Sequence, residues 1–374
     1  MHDGELTYKV KNDNAFLPIP LRSFIIMYIG NITLPNFPLL LAPMEDVSDA
    51  PFRMLCKGHG ADLLYTEFVS SHGLVNGTDK TKKKIQILPE ERPIGIQLYG
   101  GNEETMAMAT AIVDQVQPDF VDINFGCPVK GIVSKGAGAG VLKDLQLMVR
   151  LTEACVKATT LPVTVKTRLG WDEQTINIEE VAERLQDAGV QALTIHGRTR
   201  AQLYKGEADW RLIGKVKNNP RITIPVFGNG DIDSPQKALA YKNRYGVDGI
   251  MIGRAAIGNP WIFGEIKHYL LTGEEKAPPT VAERVDVCRQ HLQNSAAWEG
   301  EWRAIREMRG RYASYLKGLP QLKEIFYTSL MTLDNIEALL EIFERIEAHY
   351  AGFVTERISV SLVNYHEHLE TCER

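Results

Sequence analysis

Eight short apolar runs recur along the first two thirds of the chain: Pro38–Ala42, Ala61–Glu67, Pro93–Leu98, Phe120–Phe125, Pro162–Arg168, Ala192–His196, Ile224–Gly228 and Gly249–Gly253. Each ends in small, polar or charged residues. Between them lie stretches whose apolar positions repeat at helical spacing, among them Glu103–Val116, Leu145–Ala158 and Ile178–Ala188. Strands alternating with helices predict a parallel sheet with helical crossovers. Eight repeats within residues 38–253 match an α/β fold of the (β/α)8 TIM-barrel type, which takes about 250 residues. A doubly wound open sheet is the alternative, but no G-x-G-x-x-G follows the first run.

The rhythm stops after Trp261. Leu271–Pro279, with Gly273, Pro278 and Pro279, reads as a linker. Beyond it Val281–Glu299, Glu301–Leu316, Gln321–Met331 and Asn335–Tyr350 carry helical spacing, broken at Gly318-Leu-Pro320 and Thr332-Leu-Asp334. The expected organisation is an N-terminal extension at 1–30, a barrel at 31–272, a C-terminal helical bundle at 278–350 and a polar tail at 351–374. Met27 stands just before the first strand as an alternative start, which would make residues 1–26 a misplaced or disordered extension.

Composition narrows the class. Cys56, Cys127, Cys155, Cys288 and Cys372 are scattered without a CxxC pair. This argues against a disulfide framework or a zinc site and fits a reducing, cytoplasmic setting; no metal is expected. The apolar patch Leu17–Ile29 is broken by Pro18, Pro20 and Arg22, and no run approaches the ~18 residues that span a bilayer. No segment marks a stable protein partner. The formal net charge of −5 is unusual for a nucleic-acid binder, yet net charge does not report local distribution. Basic clusters occur at Lys80, Lys82, Lys83 and Lys84, and across residues 301–323, with Arg303, Arg306, Arg309, Arg311, Lys317 and Lys323.

In such a barrel the chemistry sits where strands end. Phe120–Phe125 leads into Asn124-Phe-Gly-Cys-Pro128, which puts Cys127 at a pocket mouth. The stretch Gly131–Gly140 that follows looks too flexible for a helix and suits a lid or a backbone approaching a ligand. In Pro162–Arg168, alternation sets Thr164, Lys166 and Arg168 on one face. A lysine inside a barrel needs a partner or a depressed pKa, and suits either a cation for an anionic cofactor ring or a Schiff-base nucleophile. His196 and Gln97 close two further runs. Phe227-Gly-Asn-Gly-Asp231 and Met251-Ile-Gly-Arg254 end runs seven and eight, where barrels commonly bind phosphate with backbone N–H groups.

Together, Ala42-Pro-Met-Glu-Asp-Val-Ser-Asp-Ala-Pro-Phe-Arg53, Asp122-Ile-Asn-Phe-Gly-Cys-Pro128, Val165-Lys-Thr-Arg168, His196-Gly-Arg198, Gly228-Asn-Gly-Asp231 and Gly253-Arg254 resemble bacterial tRNA-dihydrouridine synthases, closest to the B-type branch. Met308-Arg-Gly-Arg-Tyr312 and Lys317-Gly-Leu-Pro320 look like that family's helical tRNA-binding domain. The resemblance implies an oxidoreductase that reduces specific uridines of tRNA with FMN, using NADPH as reductant. It implies FMN contacts from Pro43, Met44, Glu45, Gln97, Lys166, His196, Asn229, Gly230, Asp231, Gly253 and Arg254. It makes Cys127 the proton donor, assigns the uracil to Asn124, and suggests RNA or substrate contacts from Arg168, Arg198, Arg309 and Arg311. Two departures stand out: Glu45-Asp46 replaces a frequent Ala-Gly, and Arg311 stands where a His is frequent.

Overall fold

Eight parallel strands close on themselves because nearly every position along them is buried, which requires both faces to be covered. The computed structural model describes residues 26–357. Strands β1 (Met27–Ile29) and β2 (Ile32–Leu34) form an antiparallel hairpin. The ring is built from β3 (Leu39–Leu41), β4 (Leu64–Tyr65), β6 (Ile94–Tyr99), β7 (Phe120–Asn124), β8 (Val163–Arg168), β9 (Ala192–His196), β10 (Val226–Asn229) and β11 (Gly249–Ile252), with β5 (Val69–Ser70) paired to the end of β6. A parallel bridge between Leu40 and Leu63 joins the first barrel strand to the second. All eight apolar runs thus supply one barrel strand each.

Register decides what meets at the mouth. Gln97 pairs with Asp122 and Asp122 with Thr164, while Asn124 pairs with Lys166. His196 is in register with both Arg168 and Asn229. Helix starts follow local capping chemistry: Asn102, Asp144 and Ser234 accept N–H bonds in the first turn of the helices they precede.

The second unit has its own core. Val285, Cys288 and Leu292 of helix Val281–Glu299 meet Ile305, Met308 and Tyr312 of helix Glu301–Tyr315, and Leu339, Phe343 and Ile346 of helix Ile336–His349. The expected Gln321–Met331 helix is two pieces, Leu322–Ile325 and Tyr327–Thr332, interrupted at Phe326. Thr280 and Glu283 form a reciprocal capping box at the start of the first long helix.

The ends of the described chain depart from the sequence-based boundaries. Residues 27–30, expected in an extension, belong to the hairpin, and Gly30 turns at φ 57° against Pro162. The expectation for residues 1–25 lies outside the described residues. Residues 351–357, expected in a loose tail, are tied down instead. Thr355 Oγ1 donates to Pro279 O at 2.7 Å, Arg284 donates to Glu356 O at 2.5 Å, and Arg357 pairs with Glu275 at 3.1 Å. The glycine-rich stretch after β7 also differs: it contains a helical turn at Lys130–Val133 and a 3-10 turn at Gly138–Lys143.

A buried polar seam joins the two units. Arg311 donates to His291 Nε2 at 2.6 Å and to the Asp46 carbonyl at 3.1 Å, and lies 3.5 Å from the Asp49 carboxylate. Because an arginine only donates, His291 Nε2 must accept, so its Nδ1 carries the proton and faces the Tyr315 hydroxyl at 2.8 Å. Burial, then the neighbouring Arg311, depress His291 to about 3. Its ordinary value is about 6.5. The stabilisation from neutral His291 is therefore complete above about pH 6.5 and is lost as pH falls towards 3. Thermal melts from pH 7 to pH 4 are expected to show this loss, and His291→Gln, which keeps an acceptor and a donor without titrating, should flatten the slope. An identical slope in the variant would remove His291 as its source.

Candidate functional site

The C-terminal ends of the strands open into a cavity of about 800 Å³, within the usual range for a small-molecule site. Its walls come from the loop after β3, from the exits of β7 to β11, and from one face of helix Glu301–Tyr315. Pro43, Met44, Glu45, Asn124, Cys127, Lys166, Arg168, His196, Asn229, Gly230, Asp231, Gly253, Arg254 and Arg311 all line it. The strand-exit logic therefore brings most of the candidate residues to one place.

Beneath the cavity runs a directional chain of hydrogen bonds. Thr164 Oγ1 donates to Asp122 Oδ1 at 2.5 Å, and Gln97 Nε2 donates to Asp122 Oδ2 at 2.6 Å. Gln97 Oε1 then accepts from Asn124 Nδ2 at 2.8 Å, and Asn124 Oδ1 accepts the N–H groups of Gly126 and Cys127 at 2.9 and 2.8 Å. The carboxylate fixes which way each amide faces, and the last amide fixes the turn that carries Cys127. Gln97 is fully buried within this chain of bonds and lies outside the cavity lining. Asn124 retains one Nδ2–H beyond these bonds.

Arg168 braces the same turn from the other side, with Nε donating to Gly126 O at 2.7 Å and Nη1 to Leu203 O at 2.8 Å. Burial pushes the Cys127 thiol up to about 11, although the Val129 N–H, Arg168 and Lys166 oppose it. Burial and the neighbouring Arg168 lower Lys166 to about 8. Burial and then Arg168, Lys166, Arg198 and Arg254 drive His196 well below its ordinary value, so the imidazole is neutral. The cavity thus offers a protonated thiol, a neutral imidazole and several fixed cations.

At β10 and β11 the backbone is shaped for close approach. Gly230 has φ 125°, and a Cβ there would lie 2.6 Å from Ala208 Cβ, so no side chain fits. Trp210 Nε1 donates to Gly230 O at 2.9 Å and pins the turn. Asp231 is the hub of this end. Arg198 grips it with two N–H bonds of 2.9 and 2.7 Å, Arg254 adds one at 3.1 Å, and the Ala208 N–H adds another at 2.8 Å. Arg198 is 1% exposed, which corrects its expected role as an RNA contact: the side chain is an internal brace.

Two other expected RNA arginines have partners within the protein. Arg311 is the buried interdomain contact described above, and half-buried Arg309 donates to Leu333 O at 3.0 Å. In the lysine cluster, Lys84 is bonded to Glu45, Lys80 lies 3.9 Å from that carboxylate, and Lys83 reaches Glu299 of the helical unit at 3.7 Å. Glu45 is thereby held at the rim with its second oxygen buried and unbonded. Burial raises the adjacent Glu67 to about 7, although Lys84 opposes the shift.

Three aromatic walls escaped the sequence reading. Phe68 and Tyr99 meet edge to face at 5.6 Å, and Tyr204 lies under the guanidinium groups of Arg254 and Arg168 at 4.9 and 5.6 Å. Tyr99 directly ends β6 and was open to the same strand-exit argument. Phe68 and Tyr204 lie in irregular loops, where no period marks them.

Residues 40–345 match the model of the dihydrouridine synthase family. The chain is 41% identical to tRNA-dihydrouridine synthase B of Pseudomonas aeruginosa over 299 residues, 80% of this chain and 89% of that protein. It is 40% identical to a probable tRNA-dihydrouridine synthase of Rickettsia conorii over 329 residues, 83% of this chain and 98% of that protein. Among solved structures, 6-hydroxypseudooxynicotine amine oxidase of Pseudomonas geniculata N1 shares the fold, with a TM-score of 0.55 at 14% identity over 74% of this chain and 55% of that one. A match that runs through both the barrel and the helical unit, with close relatives covered almost end to end, establishes that the chain belongs to the dihydrouridine synthase family.

Proposed function

We propose that this enzyme reduces the C5–C6 double bond of specific uridines in tRNA, with FMN as its bound cofactor, NADPH as the electron donor and Cys127 as the proton donor. The observation that carries the reading is a buried, protonated thiol in the same cavity as a glycine-lined, cationic end suited to a phosphate. Gly230, Gly253, Asn229 and Arg254 would hold the phosphate, and Lys166 with His196 would face the ring. Gly230 supports this fit, because its φ of 125° and its close approach to Ala208 give the cavity wall a backbone turn that a residue with a Cβ could not make. Asp231 would act through Arg254 and Arg198. When bound, the flavin supplies the hydride that saturates C6.

The protein's own part is placement and protonation. A target base must leave its stack to enter the cavity, at a cost of a few kcal/mol. The free Nδ2–H of Asn124 is suited to a uracil oxygen. Lys166 supplies positive charge where negative charge develops. Cys127 delivers a proton from Sγ to C5. With the thiol near 11, its donor form persists through neutral pH and falls away only as pH approaches that value. The thiol alone should therefore leave the step flat from about pH 6 to 9, and a fall above about pH 8 should follow the loss of charge on Lys166. Among the described residues no helix is long and apolar enough to cross a membrane, which is compatible with work in the cytoplasm.

The test is spectroscopic and anaerobic. The purified protein should show a flavin spectrum that bleaches with NADPH and returns on adding unmodified tRNA, but not free uridine or orotate. A flavin indifferent to tRNA would replace this reading with a reductase of small molecules.

A further inference from the structure

Trp302 is 66% exposed in the first turn of helix Glu301–Tyr315, where burial would ordinarily be favoured for so large an apolar ring. Its ring is not bare: the Arg306 guanidinium is stacked on it, 4.6 Å from the centroid. The i, i+4 spacing holds the two side by side. Arg303 and Arg306 are both exposed, and neither forms an ion pair among the described residues.

The position of this pair on its helix indicates what it meets. Further along, Gly310 and Ser314 line the cavity. Arg303 and Arg306 precede Gly310 by seven and four residues, which places all three on one side of the helix. With a rise of 1.5 Å per residue, Trp302 stands about 12 Å along the axis from Gly310. The same side of the helix thus leads from an aromatic–arginine pair in solvent, past Glu307, to the wall of the reaction cavity.

We propose that Trp302 and Arg306 form a stacking platform for an unstacked nucleobase of the substrate RNA near the one that enters the cavity, with Arg303 on the adjoining phosphate. The proposal rests on the RNA reading above and adds a subsite to it. An indole accepts any base on its face, and a stacked guanidinium adds charge attractive to the flanking backbone. A polyanion also matches these two exposed cations, which have no ion pair among the described residues, whereas a purely apolar partner would leave them buried.

The test uses the full-length holoprotein and unmodified tRNA, with affinity measured across a salt series and turnover measured in parallel. Trp302→Ala should weaken binding by roughly 5- to 150-fold with little change in salt slope, while Trp302→Phe retains most of the affinity. Removing Arg303 or Arg306 should instead flatten the slope of log K against log salt by about one. In Trp302→Ala, KM for tRNA should rise while kcat at saturation is kept. Wild-type protein that fails to bind tRNA would remove the RNA reading itself. Wild-type protein that binds, beside a Trp302→Ala variant of equal affinity, would overturn only the platform, whether or not the variant changes the protein's own sedimentation.

Discussion

Cys127→Ala is expected to slow dihydrouridine formation on unmodified tRNA by about 10²–10⁴-fold, the usual worth of a positioned general acid. Flavin content and tRNA affinity should stay close to wild type. The expectation comes from how the thiol is held. Asn124 Oδ1 accepts the Gly126 and Cys127 N–H groups and Arg168 donates to the Gly126 carbonyl, so the turn is fixed through its backbone and removing the sulfur leaves these bonds in place. Burial keeps the sulfur protonated, as a donor requires. Single-turnover mixing of the reduced enzyme with tRNA separates this step from reduction by NADPH. Near-normal turnover in the variant would take the proton-donor role away from Cys127.

The second large effect is expected in stability. Asp231→Ala strands Arg198, which has almost no solvent access, and strips Arg254 of a partner. Breaking a buried pair from one side costs about 3–5 kcal/mol, since the remaining charge is uncompensated. Asp231 also has φ 56°, a conformation that Asp and Asn tolerate better than other L-residues. Asp231→Asn keeps that tolerance and one acceptor oxygen, so it should fall between Ala and wild type. Urea denaturation reads the difference, and flavin retention on dilution should fall in the same order. An alanine variant within about 1 kcal/mol of wild type would show that the arginines find other partners or solvent.

The two substitutions bear on one division of labour. Cys127 and Lys166 touch the space where substrate would sit, whereas Asp231, Arg198, Gln97 and Asp122 set the backbone around it. Arg311 does the same between units: by bonding the Asp46 carbonyl it ties the helical unit to the loop over the barrel mouth. Glu45 and Asp46 lie in this loop. The Glu45 charge is met by Lys84 at the rim.

Much of this molecule was legible in the chain itself. Eight apolar runs, each followed by polar residues, point to a barrel, because parallel strands are buried on both faces and the missing G-x-G-x-x-G counts against the doubly wound open sheet. Closure then sends every strand's exit to one end, so Asn124, Cys127, Lys166, His196, Asn229 and Arg254 had to converge. The helical unit was equally visible, since its core positions repeat with the turn of a helix. Periodicity is a local property and survives without knowledge of neighbours.

What only the tertiary structure decided is which polar groups are spent on the protein itself. Arg198 and Arg311 look alike in a sequence, as cations in basic surroundings. The first is claimed by Asp231, 33 residues away, and the second by Asp46 and Asp49, more than 260 residues away. Gln97 ends a strand as a ligand residue would, yet Asp122 and Asn124 use its amide from neighbouring strands. Tyr204 and Phe68 reach the cavity from loops whose path depends on packing against other loops. A side chain's availability depends on partners that arrive from distant segments, and no pattern along the chain records their arrival.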